Sequence, residues 1–96
     1  MDVIFGCEKT DAEFSRLLTD TFSGVDELEN FSFSGIGEIL LFIVPVAALS
    51  VQVVDFILTH VSKNKQKGRV VVVKGRKYSF EGYTKKEIID ILKVLE

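Results

Sequence analysis

The feature that most constrains this chain is the stretch ILLFIVPVAALSVQVV, which runs from Ile39 to Val54 without a charged residue. A segment this apolar is stable only in lipid or in a protein core. As a helix, its sixteen residues would extend about 24 Å, short of the roughly 30 Å hydrocarbon core of a bilayer. Extension through Asp55 to Val61 would place a carboxylate in the membrane, at a cost of about 2.5–3.5 kcal/mol.

Helical periodicity favours a core helix over residues 36–62. In steps of about 100° per residue, the polar and small positions share one stripe, which is the pattern of a helix wetted on one side. Water on that stripe could satisfy the carbonyl that Pro45 leaves without a donor. A membrane anchor stays the alternative, and an exposed Leu41 could meet a partner protein or a second copy. The stripe contains Glu38, Leu41, Pro45, Ala48, Gln52, Asp55, Thr59 and Lys63.

Shorter patterns predict the elements before this helix. MDVIFGC alternates with a period of two and predicts a strand that is partly covered on both faces. TDAEFSRLL opens with capping residues, Thr10 or Asp11, and predicts a helix over residues 11–22. Residues 25–30 are acidic and are predicted to form a turn, and FSFS at 31–34 predicts a short strand.

The C-terminal third predicts a hairpin and a helix. Residues 63–69 form a polar, basic linker, and RVVVVKGRKYSFEGY then predicts a β-hairpin with its turn at 75–76. TKKEIIDIL contains a capping box and predicts the last helix. In the predicted hairpin register, Val73 faces Tyr78 and Val71 faces Phe80, so that these four side chains share one apolar face.

These elements predict an α+β fold and one domain over residues 1–96. The order is β-α-β-α-β-β-α, with a small mixed sheet packed against the long central apolar helix and the shorter helices. The order of the strands in the sheet does not follow from the sequence.

Charge is unevenly distributed along the chain. The first 55 residues carry ten acids and two bases, a net charge of −8, whereas residues 56–96 carry ten bases and four acids, a net charge of +6. Such asymmetry indicates either an interaction face or two halves that attract each other across the folded surface.

Few residues suit catalysis or metal binding. Cys7 is the one cysteine and His60 the one histidine, so soft and imidazole ligands are scarce. Cys7 continues the apolar face of the first strand, and His60 lies near the edge of the polar stripe. Gly35-Ile36-Gly37 is followed by Glu38, which would repel a phosphate. We therefore predict no catalytic, cofactor-binding or metal-binding residues and no enzymatic activity.

The remaining candidate is an interaction surface that combines the apolar stripe with the basic residues of the linker and hairpin. Nucleic acid is not the favoured partner, because Tyr78 and Phe80 are predicted to face the core and provide no stacking platform. The candidate surface contains Leu41, Pro45, Lys65, Lys67, Arg69, Lys74, Arg76 and Lys77.

The order of elements resembles that of the effector-associated constant component family of bacterial conflict systems. The matching segments are MDVIFGC, TDAEFSRLL, FSFSGIG, the helix through HVSKNKQK, RVVVVKGRKYSFEGY and TKKEIIDIL. The resemblance implies a non-catalytic adaptor that couples an effector to a partner module in anti-phage defence.

The sequence therefore predicts a protein-interaction module with a protein partner and no cofactor. Self-association stays open. The alternative is a peripheral or single-pass membrane protein anchored by the helix at 36–62. MDVIFGCEKTD lacks the basic region of a secretory signal, so we expect a cytoplasmic location, or the cytoplasmic face of the membrane in the alternative.

Overall fold

The computed structural model describes residues 2–31, 39–46, 50–63 and 68–95, which form a five-stranded sheet and three α-helices. This confirms the α+β fold class. The strands are β1 (Asp2–Glu8), β2 (Asp26–Phe31), β3 (Ile39–Pro45), β4 (Val70–Val73) and β5 (Arg76–Tyr78). The helices are α1 (Ala12–Thr21), α2 (Val51–Phe56), which continues as a π-helical segment (Ile57–Ser62), and α3 (Lys85–Leu92), which ends in a 3₁₀ turn (Lys93–Leu95).

The strands follow the order β2-β3-β1-β4-β5, and every neighbouring pair is antiparallel. The prediction of a mixed sheet was therefore wrong for the described strands. β1 lies at the centre, and β1 and β2 run in the same direction with β3 between them. Among the described strands, β2 and β5 are the outer two, and the candidate site depends on these two edges.

The first strand and helix form as the sequence predicts. β1 alternates as expected, with Val3, Phe5 and Cys7 fully buried. Asp11, rather than Thr10, is the N-cap of α1, and its Oδ1 accepts a hydrogen bond from the backbone N–H of Phe14 at 3.2 Å. This bond satisfies one of the free N–H groups at the start of the helix.

The prediction of one long helix over residues 36–62 was wrong, because its upstream half is the strand β3. ILLFIVP is rich in β-branched and aromatic residues, and it pairs with β1 on one side and β2 on the other. A strand that is covered on both faces has an uninterrupted apolar sequence, and a buried helix can have the same sequence pattern. Pro45 ends the strand, where its missing N–H costs little.

The downstream half of the helix prediction was correct. Ser50 caps α2 by accepting a hydrogen bond from the N–H of Val53 at 3.3 Å, and the predicted wet stripe is exposed at Gln52, Asp55, Thr59 and Lys63. No helix in the described segments is long and apolar enough to cross a membrane.

All three helices pack on one face of the sheet. Phe5 lies at the centre of this core, with ring centroids 6.0 Å from Phe14, 6.4 Å from Phe22 and 5.4 Å from Phe56. Aromatic pairs at these separations stabilise a core beyond the area that they bury. The helices contribute Phe14, Leu18, Val53, Val54, Phe56, Ile57, Val61, Ile88 and Leu92 to the cluster.

The opposite face of the sheet carries a second, smaller apolar cluster. Ile39, Leu41 and Val72 are buried there, and Ile4 and Leu28 pack against them. The absence of a side chain at Gly6 leaves room for the side chains of this cluster, since a Cβ at this position would lie 3.0 Å from Val70 Cγ2. The prediction that both faces of β1 are partly covered is confirmed.

The predicted hairpin is present, but its register differs by two residues. The turn lies at Lys74-Gly75, both with positive φ (50° and 79°), so Val71 faces Tyr78 and Val73 faces Arg76. Two positive φ values are the signature of a type I′ turn. A shift of two keeps every side chain on its face. The predicted apolar face is therefore correct, with Val71, Val73 and Phe80 buried and Tyr78 packed against them.

The remaining differences concern the ends of the predicted elements. Residues 26–30, predicted to be a turn, belong to β2, which ends at Phe31. The rest of the predicted strand at 31–34 lies outside the described residues. The capping box of the last helix is confirmed, with Thr84 Oγ1 accepting from the N–H of Glu87 and Glu87 Oε1 accepting from the N–H of Thr84.

Candidate functional site

The candidate site consists of the two outer strands of the sheet, which carry opposite charge. On β2, Asp26 and Glu27 are exposed. At the other edge, Lys74 in the turn and Arg76 on β5 are exposed, and Lys77 is half-buried. An edge strand also presents backbone N–H and C=O groups that can pair with another strand. Each edge thus combines a hydrogen-bonding row with charges of one sign.

The two charged edges lie at the same level of the sheet. Asp26 pairs with Ile43, Ile43 with Ile4, Ile4 with Val72, and Val72 with Lys77. These pairs form one continuous row across all five strands. Because paired residues share a face, Asp26 and Lys77 project from the same face of the sheet.

The structure separates the residues of the predicted interaction surface. Leu41 is only 3% exposed and lies in a strand, so the prediction of a wet Leu41 was wrong. Pro45 is exposed at the end of β3, where it is paired with Asp2. Lys65 and Lys67 lie outside the described residues. Lys74, Arg76 and Lys77 remain together at the β5 edge.

Arg69 is buried, contrary to the prediction that it belongs to an exposed basic linker. Its Nε donates to Asp11 Oδ2 at 2.7 Å, and its Nη2 donates to Asp11 Oδ1 at 3.0 Å. A third bond runs from Nη1 to the backbone carbonyl of His60 at 3.1 Å. The guanidinium also lies 4.9 Å from the centroid of the Phe14 ring. Arg69 therefore joins α1, the π-helical segment and the start of β4.

This ion pair is buried, so Arg69 is not available to contact a partner. The hydrogen bonds to Asp11 raise the pKa of the Arg69 guanidinium despite its burial. Glu13 adds a longer contact, 3.6 Å from Nη2 to Oε1, from the first turn of α1. A planar, bidentate arrangement of this kind is specific to arginine.

The described ion pairs account for part of the charge asymmetry of the sequence. Arg69 with Asp11, Arg69 with Glu13, and Lys85 with Asp55 each join an acid of the first 55 residues to a base of the rest. The two halves thus attract each other, as one of the two interpretations predicted. None of these pairs uses the exposed charges of the sheet edges.

Cys7 does not resemble a nucleophile. The side chain is fully buried on β1, and burial, with the nearby Asp11 carboxylate, raises the pKa of its thiol to about 12. A thiol with such a pKa carries almost no thiolate at neutral pH, and the thiolate is the reactive form. A small buried apolar residue is the role that this geometry supports.

His60 lies beside a shallow depression of about 440 Å³ on the helical face. Its ring packs against Phe56, with centroids 4.8 Å apart. Burial lowers the pKa of His60, and the positive charge of Arg69 acts in the same direction. No group of three potential metal ligands occurs among the described residues. The depression is lined by Thr21, Gln52, Asp55, Phe56, Thr59 and His60.

Sequence reasoning identified one edge of this site and missed the other. The hairpin was recognised from its turn, and with it Lys74, Arg76 and Lys77. DELEN at 26–30 has no period of two and one apolar residue, Leu28, so no local signal marks it as a strand. It becomes a strand because it pairs with the apolar β3.

No protein-family model, curated protein or solved structure matches this chain.

Proposed function

We propose that this protein is a non-catalytic protein-interaction module of the adaptor kind, which binds partners along the two outer strands of its sheet. One observation carries the proposal. A single sheet presents an acidic edge at β2 and a basic edge at β5, at the same level and on opposite sides of the molecule. Two edges of opposite sign suit a module that joins two different partners.

Strand addition is the mode of binding that this geometry supports. A partner segment in extended conformation would gain affinity from main-chain hydrogen bonds and specificity from its side chains. At β2, basic side chains would complement Asp26 and Glu27. At β5, acidic side chains would complement Lys74 and Arg76. Complementary charge also accelerates encounter and disfavours partners of the wrong sign.

The resemblance to the effector-associated constant component family supplies the biological setting of the proposal. In that setting, one edge would bind an effector and the other a partner module in anti-phage defence. The same proposal includes a cytoplasmic location, with which the single cysteine, Cys7, is compatible.

Synthetic peptides test the proposal directly. A short fluorescent peptide of alternating Lys and Val should bind β2, and one of alternating Glu and Val should bind β5. The reversed-β2 variant (Asp26→Lys with Glu27→Lys) should weaken binding of the basic peptide by at least about tenfold and leave the acidic peptide bound, because like charges now face each other. The reversed-β5 variant (Lys74→Asp with Arg76→Glu and Lys77→Glu) should do the opposite. Aspartate suits position 74, where φ is positive.

Two controls separate strand addition from general charge attraction. Asp20→Lys with Asp90→Lys makes the same change in net charge as the reversed-β2 variant, but on exposed helical residues, and should leave both peptides bound. A basic peptide with alternate backbone nitrogens methylated keeps its charge but cannot complete a ladder, and should not bind. Equal binding of the methylated and unmethylated peptides would refute docking at a sheet edge.

A further inference from the structure

The two edges of this sheet suit a specific occupant, a second copy of the same chain. We propose that β2 of one copy adds to β5 of the next, so that the copies form one continuous sheet. The inference rests on the proposed function, since it names which strand each docking edge accepts. It starts from the fact that the chain itself presents both an acidic and a basic edge strand.

Strand direction fits this pairing. Each strand is antiparallel to its neighbour, so the first and fifth strands of the order β2-β3-β1-β4-β5 run in the same direction. A second copy added in the same sense therefore presents β2 parallel to β5. Its helices then lie on the same side of the extended sheet as those of the first copy.

The level of the charges fits as well. Asp26 and Lys77 belong to one cross-strand row, so a copy displaced along that row brings Asp26 to the level of Lys77. Glu27 lies one residue beyond that level, opposite Tyr78, and Arg76 lies one residue before it, so these two opposite charges share the other face of the sheet and are diagonal neighbours. Opposite charges directly across a strand pair contribute roughly 0.2–1 kcal/mol each, and like charges destabilise it.

Charge excludes the symmetric arrangements. A two-fold contact between two β2 strands would bring the acids of both copies together. A two-fold contact between two β5 strands would do the same with Lys74 and Arg76. Only the contact between unlike edges pairs opposite charges, and such a contact between different surfaces leaves a free edge at each end of the assembly.

The twist of the sheet determines the form of the assembly. One copy contributes five strands, which at about 4.8 Å per strand advance the axis by about 24 Å. Five steps of about 20–25° rotate each copy by about 100–125° relative to the last. The contact therefore propagates as an open helical array and does not close into a dimer.

Sedimentation velocity of the full chain tests the inference through salt and concentration. In about 0.01 M salt, where the screening length is about 30 Å, the weight-average mass should rise continuously with protein concentration. In about 1 M salt, the screening length of about 3 Å is shorter than the strand spacing, and the protein should sediment as a monomer. A monomer at both salt concentrations, or a plateau at the mass of a dimer, would overturn the inference.

Mixing the two charge variants supplies a sharper test. The reversed-β2 variant has two basic edges and the reversed-β5 variant two acidic edges, so each alone should be monomeric in low salt. An equimolar mixture should recover the wild-type rise in mass, because every contact in it again joins unlike charges. The helical control with Asp20→Lys and Asp90→Lys should assemble like wild type. A mixture that stays monomeric while wild type assembles would contradict pairing between the two edges.

The peptide experiment and the sedimentation experiment distinguish failure of the adaptor proposal from failure of the proposal of a second copy. If the peptides bind their predicted edges and the chain remains monomeric, the adaptor proposal stands and the second copy is wrong. If neither peptide binds and the chain remains monomeric, both proposals are wrong.

Discussion

The buried pair of Arg69 and Asp11 gives the most quantitative prediction for stability. Arg69 is 1% exposed and the Asp11 side chain is 7% exposed, and two short hydrogen bonds join them. Arg69→Met would leave the Asp11 carboxylate buried without its cation and the His60 carbonyl without its donor. Removal of one member of a buried ion pair costs about 3–5 kcal/mol. A small domain has only about 5–15 kcal/mol of stability in total.

Guanidinium chloride unfolding followed by far-UV circular dichroism measures this cost, since the chain contains no Trp to report by fluorescence. Arg16→Met is the matched control, because Arg16 is exposed on α1, and it should change stability by less than about 0.5 kcal/mol. Arg69→Lys should be intermediate, because a lysine keeps the charge but not the bidentate geometry.

A double-mutant cycle separates the pair from the two residues taken singly. Asp11→Asn combined with Arg69→Met removes both charges and keeps an acceptor for the N–H of Phe14. Its cost should fall short of the sum of the single costs by at least about 1 kcal/mol, because neither charge is left alone. A cost below about 1 kcal/mol for Arg69→Met, or exact additivity in the cycle, would refute the structural role assigned to the pair.

Three further predictions concern single positions. Burial lowers the pKa of His60 in the folded state, so the unfolded chain binds the proton more readily. The free energy of unfolding should therefore fall as the pH drops below about 6.5. Denaturation midpoints at several pH values should show this dependence, and His60→Gln should reduce it. Cys7, whose pKa is raised to about 12, should react with a thiol reagent at pH near 8 at least about 100-fold faster in denaturant than in the native state; equal rates would contradict its burial. Gly6→Val should cost about 1–3 kcal/mol, because even a Cβ would lie 3.0 Å from Val70 Cγ2 and 3.2 Å from Leu41 Cδ2; an unchanged midpoint would show that the second apolar cluster is loosely packed.

Local signals in the sequence predicted several elements correctly. The alternation of β1, the capping box at Thr84 and the exposed stripe of α2 depend on residues a few positions apart, and the structure contains all three. The faces of the hairpin were also correct, because moving a two-residue turn by one position shifts the register by two and preserves the faces.

The errors arose where pairing with distant segments decides the structure. ILLFIVP satisfies the apolar pattern of a helix and of a strand covered on both faces, and β1 and β2 decide between them. DELEN contains too few apolar residues to be recognised as a strand on its own. The acidic edge strand of the candidate site could therefore not be predicted from the sequence, whereas the basic edge at Lys74 and Arg76 followed from the predicted hairpin.

Arg69 shows the same limitation for a single side chain. In the sequence it belongs to a run of basic residues and resembles a solvated linker position. Its partner Asp11 is 58 positions away, and only the packing of α1 against the start of β4 brings the two together.

Docking of partners at the two charged edges of the sheet can be followed residue by residue through the backbone amide chemical shifts of the labelled protein. Addition of the alternating Lys and Val peptide should move the amide signals of residues 26–28 on β2 and leave those of α3 in place. The alternating Glu and Val peptide should move the signals of Arg76–Tyr78 on β5. Shifts concentrated around His60 and Thr59, or no shifts with either peptide, would contradict docking at the sheet edges.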